Sequence, residues 1–190
     1  MAENLYSDLE TERLFLRILS VKDAPQVLDY LFRNQAFFKP WSPQRDPHFY
    51  TLDYQEEKLL LESQLLQEGS LLKWWIFEKK RPHPPKIIGD ITFANIIRGA
   101  FQSCHLGYKM DAHQKNKGYM TEALTVSIAS LFHERKLHRI EANIMPRNQR
   151  SIRVVEKLNF INEGISKKYL QINGVWEDHL HYVLLNSALE

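Results

Sequence analysis

The stretch from Gln102 to Met145 restricts the fold more than any other part of the chain. Gln102 to Met110 alternates as a strand does, and Arg139 to Met145 alternates again. Between them Met120, Ala123, Leu124, Ile128, Leu131 and Phe132 recur at helical spacing, marking a helix from Gly118 to about Arg135 with one apolar stripe. A strand, a long helix and a second strand in that order form a crossover, which lays the two strands parallel. The links RPHPP from Arg81, Ile97 to Gly99 and Asn173-Gly174 are each short enough for a hairpin. The expectation is an α/β (α+β) fold. Its central mixed, mostly antiparallel sheet has about seven strands, with helices on both faces.

The remaining elements follow from local signals. Leu14 to Leu19 reads as the first strand, and Ser20 with Asp23 forms a capping box that opens a helix through about Arg33. Phe37 to His48 carries three prolines and reads as a rigid loop able to line a cleft, followed by a helix from Leu52 to Gln67. Strands are expected at Lys73–Glu78, Ile87–Asn95, Phe160–Tyr169 and Trp176–Leu185, with a short helix over Asn148–Leu158. At 190 residues, without a long linker or internal repeat, the chain is expected to form one domain.

The crossover also suggests an activity. Where the strand ending at Met110 turns through HQKNKGYMTE (His113 to Glu122) into the helix, about four backbone N–H groups lack intrahelical partners and the helix dipole is positive. Such a terminus binds phosphate groups, and Gly118 lets the backbone approach closely because it has no Cβ. Lys115, Lys117, Arg147, Arg150 and Arg153 add local positive charge. The overall balance of 25 basic and 23 acidic residues gives no reason to expect nucleic-acid binding. No apolar run could span a membrane. Acidic residues in Met1 to Leu16 and a single cysteine, Cys104, point to the cytoplasm. Cys104 reads as a buried small side chain, and the histidines lack metal-ligand spacing, so no metal is expected. Trp41, Trp74 and Trp75 are candidates to shape an acceptor cleft, although aromatics in strands usually pack in cores.

Five ordered segments resemble the GNAT superfamily of acetyl-coenzyme A-dependent N-acetyltransferases, and within it the RimJ/RimL branch that acetylates ribosomal-protein N-termini. They are ETERLFLR from Glu10, KPWSP from Lys39, GYKMDAHQKNKGYMTEAL from Gly107, HRIEANIMPRNQRS from His138 and YLQINGVWEDH from Tyr169. The last segment and IMPRN are more similar to RimJ than to RimL. The resemblance implies acetyl-coenzyme A as co-substrate. Its pantetheine would run along Gly107, Tyr108, Lys109 and Met110, and its pyrophosphate would lie at Lys115, Asn116, Lys117, Gly118, Tyr119 and Met120. It places Asn148 at the pantetheine and Ser151, in Asn-x-x-Ser, at the sulfur as a donor to the leaving thiolate. The acceptor would be a protein or peptide N-terminus, or alternatively a small amine; a binding module without activity is a further reading.

Several departures from the family pattern matter. Lys115 and Met120 replace the usual Gln/Arg and last small residue of the phosphate loop, and Asn159 stands where glycine is common. Val155 occupies the place of a tyrosine general acid. The two familiar glutamate-base positions fall on Asn143 and Leu170, neither of which can take a proton. Glu141, two residues before Asn143 and on the same strand face, is the remaining candidate base, acting through water. The requirement for a base depends on the acceptor. An α-amine needs about 3.4 kcal/mol less help than a lysine to lose its proton at pH 7, which favours an α-amine substrate.

Overall fold

The computed structural model describes residues 7–80 and 85–190. The turn expected in RPHPP therefore lies largely outside the described residues, as does the start of the N-terminal segment. In chain order the elements are strands β1 (Leu9–Glu10) and β2 (Leu14–Arg17), then helices α1 (Ala24–Arg33), α2 (Gln35–Phe38) and α3 (Leu52–Gln67). Strands β3 (Leu72–Glu78), β4 (Ile87–Ile97) and β5 (Ser103–Met110) precede helix α4 (Tyr119–Arg135). Strand β6 (Arg139–Ile144), helix α5 (Gln149–Lys157) and strands β7 (Ile161–Ile172) and β8 (Val175–Leu185) complete the fold. One sheet of eight strands runs β1-β2-β3-β4-β5-β6-β8-β7. All pairings are antiparallel except β5 with β6, the parallel pair expected from the crossover.

The differences from the sequence reading are local. Strand β1 has only two residues, Leu9 against Leu16 and Glu10 against Phe15, too few to show an alternation. The segment Phe37 to His48 is more ordered than a loop. It starts within α2 and continues through 3₁₀ turns at Lys39–Trp41 and Pro47–Tyr50, each carrying a proline in its first two positions, where a missing N–H does no harm. At the β7–β8 turn, Asn173 and Gly174 both have positive φ, 46° and 83°, as a two-residue hairpin requires.

Strand β3 explains the layering. Leu72, Trp74 and Ile76 face a core shared with α4 and α5, while Trp75 and Phe77 face a second core shared with α1 and α3. Alternate side chains point to opposite faces, so a strand buried on both reads as continuously apolar. Trp74 and Trp75, at 2% and 3% exposure, are therefore core residues and not part of an acceptor cleft. Cys104 is buried in the first core, and its burial pushes the thiol up to about 12, leaving no thiolate at neutral pH. Val155 is fully buried there as well.

The sheet opens at its centre. β5 and β6 pair only through Ser103–His105 and Arg139–Glu141, although β5 runs on to Met110 and β6 to Ile144. Beyond that point the strands part and leave a wedge.

Candidate active site

The wedge holds a cleft of about 330 Å³. Tyr108, Lys109 and Met110 of β5 form one wall, Lys115 to Met120 the floor at the head of α4, and Asn148, which caps α5, with Ser151 of α5 the opposite wall. Phe37, Phe38 and Trp41 close the top. Of the residues expected at the coenzyme, only Gly107 is absent from this lining. It is exposed and pairs with Thr92, one residue before the wall begins.

The floor is shaped by backbone conformation. Asn116 and Gly118 adopt left-handed φ values of 61° and 78°, turning the chain into α4 at the floor of the cleft. Tyr119 and Met120 bury their side chains in the core, and the Tyr119 hydroxyl donates to Glu78 at 2.7 Å. What they contribute to the cleft is main chain, which is why methionine is accepted where the family favours a small residue. A Cβ on Gly118 would stand 3.4 Å from Arg13 Nη2 and would force a side chain into a conformation that L residues rarely adopt. Asn159 has φ 63°, the left-handed conformation its family position calls for.

Two braces fix this floor, and neither was evident in the sequence. Glu122, in the first turn of α4, accepts from Arg13 Nε at 2.6 Å and from the Thr11 hydroxyl; Arg13 also donates to the Lys117 carbonyl at 3.0 Å. Asp111 accepts from Arg33 Nε at 2.9 Å, Asn34 Nδ2 at 3.0 Å and the His113 amide at 2.8 Å. Burial alone would raise both carboxyls; the hydrogen bonds outweigh it and hold them below the usual carboxylate range. These partners are 78 and 109 residues apart in the chain, beyond the reach of any local signal.

Cations surround the floor. Lys115, Lys117, Arg150, Arg153 and Lys157 line the cleft, and no acidic residue does so among the described residues. Arg150, Arg153 and Lys157 recur at three and four along α5, so one face of that helix is basic; Lys157 was the member missed in the sequence. Arg147 is turned outward, its guanidinium 4.9 Å over the Trp41 ring and 2.8 Å from Glu177. A glycine-opened helix terminus ringed by cations suits a pyrophosphate, and the strand wall suits an extended amide chain.

Ser151 lines the cleft half-buried, and its hydroxyl has no hydrogen-bond partner among the described residues. Its backbone is fixed from both sides, with its carbonyl accepting from the Tyr108 hydroxyl at 2.9 Å and its amide donating to Asn148 Oδ1 at 3.3 Å. Asn148 thus caps α5 while its residue lines the cleft.

Glu141 does not line the cleft. On β6, Ile140, Ala142 and Ile144 are buried toward α4 and α5, so Arg139, Glu141 and Asn143 project from the opposite face of the sheet. There Glu141 accepts from Arg139 at 3.2 Å and meets His181 Nδ1 at 3.0 Å, while His181 Nε2 lies 2.7 Å from the Ser166 hydroxyl. Burial works to raise its pKa, but the bonds from His181 and Arg139 prevail and hold the carboxylate low. A carboxylate so engaged orients its partners more readily than it takes up a proton. Asn143 Nδ2 donates to the Tyr169 hydroxyl at 3.3 Å, whereas its buried Oδ1 has no partner.

Comparison with known proteins agrees with this architecture. Residues 13–161 match the acetyltransferase (GNAT) domain family. The [ribosomal protein uS5]-alanine N-acetyltransferase of Escherichia coli is 39% identical over 173 residues, covering 90% of this chain and 87% of that protein. The crystal structure of ribosomal-protein-S5-alanine acetyltransferase from Vibrio fischeri superposes with a TM-score of 0.91 at 34% identity, covering 97% of this chain and 99% of that one. RimJ of Mycobacterium smegmatis, in complex with CoA-disulfide, gives 0.85 at 26% identity, with 93% and 83% covered. With the family match spanning most of the chain and the parted sheet and glycine-opened helix terminus in place, this protein belongs to the GNAT acetyltransferases.

Proposed function

We propose that the protein transfers the acetyl group of acetyl-coenzyme A to the α-amine of a protein N-terminus, that of a ribosomal protein in particular. The observation that carries this reading is the cleft itself, a wedge between parallel strands with an anion cradle at its floor and the unpartnered Ser151 hydroxyl on its wall. The likeness to enzymes that acetylate the uS5 alanine supports the choice of acceptor.

In this reading the main-chain amides from Lys117 to Met120 hold the pyrophosphate, aided by Lys115 and Lys117, and the β5 wall holds the pantetheine. Acetyl-coenzyme A supplies an activated thioester. Ser151 donates its hydroxyl proton toward the sulfur, where negative charge develops as the bond to the acetyl carbon breaks. The rest of the contribution is positioning of the amine. Glu141 acts indirectly, by holding His181 beside Asn143 on the acceptor side of the wedge. No free carboxylate base stands in the cleft among the described residues, which suits an amine that is already about a tenth neutral at pH 7.

Turnover of radiolabelled acetyl-coenzyme A against separate panels of N-terminal peptides, N-blocked lysine peptides and small amines tests the assignment. The N-terminal peptides are expected to be the preferred class. Exclusive turnover of small amines would overturn it.

A further inference from the structure

A second recess of about 240 Å³ opens beside the cleft. The two share Phe38 and Lys109 in their linings, so they adjoin at these side chains. Lys109 is on the α1/α3 face of the sheet, paired across β4–β5 with Asp90, and this is also the face that carries Glu141 and His181. Its far wall is the Lys39–Arg45 segment, fixed to the β7–β8 turn by the Asn173 amide, which donates to the Ser42 carbonyl at 3.2 Å.

The charge of the recess is one-sided. Lys39, Arg45 and Lys109 line it, and no acidic residue does so among the described residues. Asp46, next in sequence, has its carboxylate turned to the His48 amide at 2.8 Å. Asp90 and Glu62 lie behind the wall, engaged with the Tyr30 hydroxyl at 3.2 Å and with Lys73 at 2.8 Å. The Lys109 ammonium makes no hydrogen bond or ion pair among the described residues. It stands 5.6 Å from the centre of the Phe38 ring, and burial lowers its pKa. An unpaired ammonium held against an aromatic ring is worse solvated than one in water, so an incoming carboxylate would relieve that penalty as well as supply charge.

We propose that this recess is the specificity site for the acceptor, and that it selects peptides with an acidic side chain shortly after the N-terminal residue. This rests on the α-amine reading of the cleft. With the amine in the cleft beside Ser151 and the recess adjoining that cleft at Phe38 and Lys109, an extended chain advancing about 3.3 Å per residue would bring an early side chain, sampled here at positions two to four, to Lys109, Arg45 and Lys39. The recess is open enough to admit a carboxylate with its water, and Gln35, Ser42 and Asn173 offer hydrogen bonds to the peptide backbone.

The test is a peptide series with one small N-terminal residue and glutamate, glutamine or lysine placed at positions two to four. Glutamate peptides are expected to show kcat/KM at least about tenfold above their glutamine counterparts, with lysine lowest. In the exposed pair Lys39→Glu/Arg45→Glu the order should reverse, with the KM for acetyl-coenzyme A unchanged. The milder pair Lys39→Gln/Arg45→Gln should flatten the preference without reversing it. Equal kcat/KM across the series would overturn the acidic-peptide assignment while leaving α-amine transfer intact, as would variants that keep the wild-type order. Preference for phosphorylated small amines over every peptide would overturn both this inference and the reading on which it rests.

Discussion

Ser151 carries the sharpest claim at the scale of single residues. Replacing it with alanine removes a hydroxyl that no described residue engages, while the amide that Asn148 caps and the carbonyl that Tyr108 meets both remain. We expect Ser151→Ala to lower kcat at least about tenfold with little change in coenzyme affinity, because the lost bond forms mainly to charge in the transition state. An unchanged single-turnover rate would mean that Ser151 serves only as a helix residue. Gly118 tests binding. At about a hundred times its dissociation constant acetyl-coenzyme A should stabilise the parent protein by ~2.7 kcal/mol, and Gly118→Glu should lose that response in a thermal-shift titration. The variant should also be less stable without ligand by about 1–2 kcal/mol, because φ is 78° at this position. An undiminished response to ligand would remove the phosphate site from this loop. Gly118 was legible as the point where a strand turns into a helix, whereas the parts given to Ser151 and Asn148 rested on the resemblance of Asn-x-x-Ser to the family pattern; the structure brings all three to one cleft. Glu141 was legible as a strand residue on the face of Asn143 and Arg139, but its partners His105 and His181 come from neighbouring strands and are set by sheet pairing, which no local pattern reveals.

Among the elements, the head of α4 matters most, and its precision comes from the braces that hold it. Asp111 joins the end of β5 to the end of α1 through Arg33 and Asn34, and Asn34 Oδ1 in turn accepts from the Ala112 amide at 2.9 Å. Loss of the charge in Asp111→Asn should lower stability by about 1–3 kcal/mol at pH 7, read from the urea midpoint. The sign with pH follows from the depressed carboxyl. The stabilisation is complete above the unfolded value near 4 and is lost as pH falls through the lower folded value. The gap between parent and variant should therefore close on acidification below about pH 4; a gap that widened there would contradict the assignment. Element types and order could be read because the periods of α3, α4 and the hairpins are long and the Asn173-Gly174 turn has strong local chemistry. Strand β1 could not, and neither could the order within Phe37 to His48, where proline signals a break equally well for a loop and for successive short turns.

For the whole molecule, the decisive feature is a sheet that stays continuous on both sides and parts in the middle. Antiparallel pairings build each half, and one parallel contact three residues long joins them, so the cleft opens through the sheet with α5 on one side and the Glu141–His181 pair on the other. The crossover predicted where the parallel pair would form. The length of the pairing was not legible, because it depends on Tyr108, α5 and the core beneath them meeting across the gap. The nitrogen that receives the acetyl group decides whether this cleft serves an N-terminal α-amine. The direct measurement is tandem mass spectrometry of the product from one peptide that carries a free small N-terminal residue and an internal lysine. Acetylation is predicted on the α-nitrogen with the lysine left unmodified; acetyl groups found predominantly on the lysine side chain would contradict the account.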